Sequence, residues 1–149
     1  MKIMSTVLAA AFVLTAASAF AAPPDPAVAG WERGQTYDRL YDTTREVVVP
    51  AVVVKVEKFT PAEGMAEGLR AQVQSRGELL WVHLAPVAWL AAQKFELAEG
   101  ANVVVTGSHV RIGEERVILA SVLERDGKKL RLREINGKPA WANWRPRPA

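Results

Sequence analysis

Residues 79–110 read LLWVHLAPVAWLAAQKFELAEGANVVVTGSHV and hold the one helical pattern in a chain that is otherwise rich in strand patterns. Leu79 to Leu84 predicts a strand, and Pro86 stands where the first turn of a helix tolerates proline. Apolar residues then recur on one face from Val87 to Phe95, which predicts a short helix. A turn follows, and Val103 to Val110 predicts the next strand. The helix therefore separates two groups of strands.

The first predicted strand, Val47 to Glu57, is long and rich in β-branched residues, which favour strands. Alternation along this strand places Val52, Val54 and Val56 on one face. Pro50 lacks a backbone N–H group, so the start of the strand is expected at a sheet edge or at a bulge.

Shorter strands are also expected at Leu69–Ser75, Arg116–Glu124 and Lys129–Glu134. Three strands, one short helix and then further strands form the order of an OB-fold barrel, in which a long first strand curves across both halves. We therefore predict an all-β fold with one short helix, an OB-fold-like barrel of five or six strands. An SH3-like barrel or a small sandwich is the alternative, but neither places a helix at this point.

The length of 149 residues fits one domain, and a composition of 50% apolar and 23% charged residues excludes a disordered or fibrous chain. Residues 1–21 have the pattern of a secretory signal peptide, with Lys2, an apolar stretch and the cleavage pattern Ala19-Phe20-Ala21. An uncleaved membrane anchor is the alternative, although the apolar stretch is shorter than the roughly 20 residues that span a bilayer. We expect cleavage after Ala21 and a periplasmic location.

The chain contains no cysteine. An exported protein of this size without disulfides must be held together by its hydrophobic core. The absence also excludes a lipoprotein acylation site, a C-x-x-C-H haem attachment, an iron–sulfur cluster and a thiol nucleophile. From Ala22 onward the chain has 18 basic and 16 acidic residues, a net charge of +2. This mild excess does not by itself imply a nucleic-acid partner.

Four regions are expected along the chain. They are a signal peptide at 1–21, a Pro/Ala-rich linker and irregular arm at 22–44, an OB-fold-like barrel at 45–135, and a basic, Trp-containing tail at 136–149. Trp31, Tyr37 and Tyr41 punctuate the arm, and we expect it to lay their rings on the core. Trp89 in the helix is expected to close the bottom of the barrel.

No arrangement of residues predicts a catalytic site. His83 and His109 lie near the ends of the third and fourth strands, without the spacing typical of metal ligands. The serines lack the G-x-S-x-G pattern, and neither glycine-rich phosphate-binding pattern occurs. We therefore predict that the protein is not an enzyme and has no metal and no cofactor. Metal or haem handling by the two histidines is kept as a third hypothesis.

The most suggestive feature is a basic hairpin followed by tryptophans. Cations alternate with leucines along the last predicted strand, so three of them should share one face. Cations beside aromatic rings are typical of surfaces that bind an anionic or protein partner. The candidate binding residues are Trp81, Lys129, Arg131, Arg133, Trp141 and Trp144. The alternative is that the cations discourage edge pairing and that Trp141 caps the barrel end.

Several short segments occur together in an order that resembles a known family. They are Phe59-Thr60-Pro61 with Gly64 and Gly68, Val82-His83-Leu84-x-Pro86, Val105-Thr106-Gly107-Ser108, Leu130-x-Leu132-Arg133 and Gly137-x-Pro139-x-Trp141. Over about residues 36–145 the chain resembles a family of small exported bacterial OB-fold-like proteins. Some of its members are magnetosome-associated and some are nucleic-acid-binding-like. The resemblance implies the fold, and it implies no activity and no catalytic residue.

We therefore expect a non-enzymatic periplasmic binding module whose partner is another protein or an envelope component. The tryptophans would anchor the partner, and the cations would supply charge complementarity. Binding of a polyanion or of single-stranded nucleic acid through the same hairpin is the alternative. Export disfavours nucleic acid, and so does the presence of a single large ring, Trp81, on the strands that usually carry base-stacking platforms. The oligomeric state is left open.

Overall fold

The computed structural model describes residues 25–147, and the predicted signal peptide lies outside them. The strands are β1 (Glu46–Phe59), β2 (Gly68–Ser75), β3 (Glu78–Pro86), β4 (Asn102–Ile112), β5 (Glu115–Arg125) and β6 (Lys128–Arg131). The helix α1 (Val87–Gln93) lies between β3 and β4, and three short 3-10 turns precede β1 (Pro26–Val28, Asp38–Leu40 and Thr43–Arg45). The all-β class with one short helix is confirmed.

The six strands form one sheet in the order β3-β2-β1-β4-β5-β6, with antiparallel neighbours throughout. A parallel pairing between β3 and β5 joins Trp81–His83 to Val117–Leu119. The hydrogen bonds therefore close a ring through β1, β2, β3, β5 and β4. The chain order around this ring is the one that the sequence predicted, and the name OB-fold itself stays a prediction.

Strand β1 contains a bulge that changes which of its valines face the core. Ala51 and Val53 are buried, whereas Val52 and Val54 are 42% and 40% exposed. The register with β2 shifts after Val53, so Val54 is the extra residue and Val56 returns to the inner side opposite a buried alanine. The prediction that Val52, Val54 and Val56 share one face is therefore wrong.

Pro50 lies in the part of β1 that pairs with β4 but not with β2. Its carbonyl oxygen accepts a hydrogen bond from the Ser75 hydroxyl at 2.7 Å, so this side of the strand is open to side chains rather than to another strand. This is the edge position that the missing N–H of proline predicts.

Two glycines allow parts of the chain to approach each other closely. A Cβ atom on Gly107 would lie 2.9 Å from the Cα atom of Ala120 and against the Leu119 carbonyl oxygen in β5. A Cβ atom on Gly68 would collide with the indole ring of Trp31. A side chain at either position would force the neighbouring backbone or ring to shift, which destabilises the fold.

Three tryptophans pack together at the end of the sheet next to α1. Trp141 lies 5.8 Å from Trp31 and 5.5 Å from Trp89 between ring centroids, with edge-to-face geometry. The Trp31 indole N–H donates to the Ala66 carbonyl at 2.8 Å, and the Trp141 indole N–H donates to the Trp31 carbonyl at 2.8 Å. These contacts fasten the N-terminal arm to the C-terminal segment. The predictions that the arm lays Trp31, Tyr37 and Tyr41 on the core and that Trp89 is a core residue are confirmed. Trp31, Tyr37 and Trp89 are buried, and the half-buried Tyr41 packs against the core.

The ends of α1 and β6 differ from their predicted positions. The helix ends at Gln93 rather than Phe95, because Lys94 adopts a left-handed conformation with φ of +53°. Strand β6 ends at Arg131 rather than Glu134, because the next two backbone N–H groups both turn to the Ser121 carbonyl oxygen. This turn sends the following residues into the core.

Candidate functional site

Arg133 and Trp141 are core residues, which corrects the prediction that they belong to an exposed binding surface. Trp141 is 1% exposed. The Arg133 guanidinium is buried, donates to the Asp38 carboxylate at 2.6 Å and to the Gly137 carbonyl at 3.0 Å, and lies 4.8 Å from the Tyr41 ring centroid. A buried cation needs such a partner, so Arg133 points inward to the arm instead of outward with the other cations.

Trp81 is half-buried on the outer side of β3, and one of its own neighbours covers the ring. The Arg70 guanidinium lies 4.0 Å from the ring centroid and is held there by a 2.6 Å ion pair with Glu57. Lys55 lies 5.3 Å from the same ring. Because these cations already interact with the ring, Trp81 is not a free platform for a stacked base.

The remaining predicted residues are not brought together with Trp81. Lys129 and Arg131 are exposed on β6 and pair with residues near the end of β5, whereas Trp81 pairs near the start of β5. Trp144 is half-buried and packs against the core. The predicted single surface is therefore divided among β3, β6 and the C-terminal segment that follows β6.

The two histidines also lie apart. His83 is buried, with its Nδ1 atom 2.9 Å from the Tyr37 hydroxyl. Burial, together with the smaller effect of the Arg70 charge, lowers the pKa of His83 from 6.5 to about 4. His109 lies on β4 and pairs with Ile118 of β5, so β5 separates it from β3. Within residues 25–147, no three His, Cys, Asp or Glu residues are grouped closely enough to hold a metal ion.

An uncovered apolar surface lies on the outer side of β1, β4 and β5. The strand register aligns Val48 with Thr106 and Thr106 with Val122 in one row. A second row aligns Pro50 with Val104, and neighbours within a row lie about 5 Å apart. We call this surface the valine face; it consists of Val48, Pro50, Val52, Val104, Thr106 and Val122.

The exposure of the valine face is greatest on β1. Val48 is 66% exposed and Val52 is 42% exposed, whereas the alternate residues of the same strand face the core. The two exposed cations of β6 border this surface, since Arg131 pairs with Val122 and Lys129 pairs with Glu124. Glu124 lies between Val104 and Lys129 in the second row, so the face is apolar at one side and charged at the other.

A shallow depression of ≈ 550 Å³ continues the valine face towards the turns that precede β3 and β6. Its lining includes the apolar residues Pro50, Val52 and Val104. It also includes the charged residues Arg76, Glu124 and Asp126. A lining that mixes apolar and charged groups suits a protruding side chain of a binding partner.

Sequence reasoning did not identify the valine face, although a signal is present. Residues 47–54 read VVVPAVVV, so both alternations of β1 are apolar. A continuous apolar run is typical of a strand that is covered on both faces. The structure covers only the inner face of β1, and the other alternation is left open.

The comparisons with known proteins concern the sheet rather than the arm. Among residues 25–147 no helix has the length and hydrophobicity that a bilayer span requires. A search of curated proteins finds no match to the chain. A family model matches residues 50–130, which run from the middle of β1 through most of β6. The chain belongs to the MamS/MamX magnetosome protein family.

Proposed function

We propose that the protein is a non-enzymatic binding module of the periplasm and that a partner protein covers its valine face. The observation that carries this proposal is the exposure of Val48 and Val52 on the same outer side of the sheet as the half-buried Val104 and Val122. Contiguous exposed apolar surface bordered by polar residues is typical of sites of protein interaction.

Burial of the exposed valine side chains by a partner is favourable. Full burial of a valine side chain contributes about 1.5 kcal/mol or more. Burying the exposed parts of Val48 and Val52 therefore offers about 2 kcal/mol to a complementary surface. Lys129 and Arg131 at the border would orient an acidic region of the partner and speed association.

The placement of His83 does not suit a general base. A general base must reach its substrate and titrate near the working pH. His83 is instead buried beneath Tyr37 and stays neutral down to about pH 4, because burial lowers its pKa to about 4. Its geometry suits a structural contact between the arm and β3.

Affinity capture from periplasmic extract, with the chain from Ala22 onward as bait, tests the proposal. Val48→Lys/Val52→Lys places two charges on the valine face, and Glu114→Lys places one in the exposed β4–β5 turn as a matched control. We expect one protein to be retained by the wild type and by Glu114→Lys. The double variant should retain it at least tenfold less, at an unchanged melting temperature. Retention of that protein by the folded double variant, or capture of none by the wild type, would contradict the proposal.

A further inference from the structure

Positive charge is gathered at the C-terminal end of the protein. Residues 128–147, which we call the basic segment, contain seven basic residues and one acidic residue, a net charge of +6. Residues 25–127 contain eleven basic and fifteen acidic residues, a net charge of −4. The small net positive charge of the chain is therefore the sum of a strongly basic segment and an acidic remainder.

Most charges of the basic segment face solvent without a salt bridge, although Glu124 lies opposite Lys129 on the neighbouring strand. Arg133 is the one cation of this segment with a salt bridge in the part of the chain that the structure describes. Five others are exposed and one, Lys138, is half-buried: Lys128, Lys129, Arg131, Lys138, Arg145 and Arg147. Uncompensated cations on one segment create a local positive potential that attracts anionic ligands.

An exposed isoleucine lies within the same segment. Ile135 is 87% exposed, the highest value among the large apolar side chains of the described residues. The turn that carries it is rigid, because the Gly137 N–H donates to the Glu134 carbonyl at 2.8 Å and the Glu134 N–H donates to the Lys138 carbonyl at 2.9 Å. The buried Arg133 side chain also donates to the Gly137 carbonyl at 3.0 Å. The hydrogen bonds of the turn therefore fix Ile135 in an exposed position.

We propose that the basic segment docks on a lipid surface with anionic headgroups and that Ile135 enters the apolar layer beneath them. A single exposed apolar side chain is common and needs no explanation by itself. Its position in a segment that also carries six cations without a salt bridge is informative, because interfacial membrane binding combines an apolar anchor with lysine and arginine. A dissolved polyanion would engage the cations and leave Ile135 in water. This site does not depend on the apolar residues of the valine face, although Lys129 and Arg131 border both surfaces.

The charge on the segment sets the expected strength of this contact. Each lysine or arginine near an anionic bilayer changes the partition coefficient roughly fivefold. Replacing Lys128, Lys129 and Arg131 together by glutamine should therefore reduce partitioning about 100-fold. Ile135→Ser should reduce partitioning about tenfold, because the variant loses the favourable transfer of the isoleucine side chain from water into the apolar layer.

Vesicle co-sedimentation of the chain from Ala22 onward, which contains every residue that the structure describes, tests this proposal. The vesicles are phosphatidylcholine alone or phosphatidylcholine mixed with phosphatidylglycerol. Leu79→Ser is the matched control, because Leu79 is 59% exposed but lies on β3 outside the basic segment. We expect binding to the anionic vesicles only, weakened by Ile135→Ser and by the triple glutamine variant, and unchanged by Leu79→Ser.

Three results would overturn the proposal. The first is equal binding to both kinds of vesicle, and the second is no binding to either. The third is binding to anionic vesicles that Ile135→Ser leaves unchanged while oligo(dT) competes with it, which would assign the segment to dissolved polyanions. Circular dichroism of each variant confirms that it is folded, so that a loss of binding reports on the surface.

Discussion

The buried ion pair between Arg133 and Asp38 allows a quantitative test of how the arm is held. The Arg133 side chain is 3% exposed and that of Asp38 is 12% exposed, with 2.6 Å between their charged atoms. Asp38→Ala leaves the Arg133 charge buried without its partner. Breaking a buried pair in this way costs about 3–5 kcal/mol. This cost is a large fraction of the free energy of unfolding of a typical small domain, which is about 5–15 kcal/mol.

An exposed pair of the same chemistry provides the control. Lys58 and Glu67 are 3.6 Å apart, and their side chains are 67% and 52% exposed. Pairs of this kind contribute about 0–1 kcal/mol, because water and salt screen them. Glu67→Ala should therefore leave the free energy of unfolding nearly unchanged.

Equilibrium unfolding in urea measures both variants. With a slope of about 2 kcal/mol/M, Asp38→Ala should lower the unfolding midpoint by about 2 M, and Glu67→Ala by less than 0.5 M. Adding Arg133→Met to Asp38→Ala should restore part of the loss, since the unpaired charge is then removed. A cost below about 1 kcal/mol for Asp38→Ala would refute the reasoning. Such a small cost would mean that Arg133 is accessible to solvent and available to a binding partner.

Two further predictions concern the sheet and the buried histidine. Gly107→Ala should lower the free energy of unfolding in urea by about 1–3 kcal/mol, because its methyl group would press on Ala120 and the β5 backbone. Gly100→Asn is the control and should lower it much less, because Gly100 lies in open space at φ of +82°. Equal losses would contradict the close approach of Gly107 to β5. The pKa of His83 is about 4 in the fold against 6.5 in the unfolded chain, so the unfolded chain binds more protons between these pH values. Stability should fall as pH drops from 6.5 to 4, by up to about 3 kcal/mol; His83→Gln should lose this component, and an identical pH profile would show that His83 is not buried.

The sequence predicted those features that depend on local pattern. The alternation of apolar residues identified the strands, and the run from Val87 with its proline before it identified the helix. Trp31 and Tyr37 lie in a polar arm. Because large aromatic side chains are mostly buried in folded proteins, the sequence predicted that these two rings pack on the core. The resemblance noted from the short motifs is confirmed by the family match.

The features that the sequence did not predict depend on contacts between distant parts of the chain. Arg133 turns inward because Asp38, 95 residues earlier, neutralises it. Trp141 is buried because its N–H group reaches the Trp31 carbonyl, 110 residues away. The bulge at Val54 reverses the alternation of β1, and no glycine or polar residue in the run of valines marks it. Each of these needs the fold before the residue's role can be inferred.

Site-specific photo-crosslinking in living cells tests the central claim, that a partner protein covers the valine face. Benzoylphenylalanine replaces Val48, which is 66% exposed on this face, or Glu114, an exposed residue in the turn at the far end of β4. The account predicts a crosslinked product with one other protein from position 48 and none from position 114. No product from position 48, the same product from both positions, or a product that contains only two copies of this chain would contradict it.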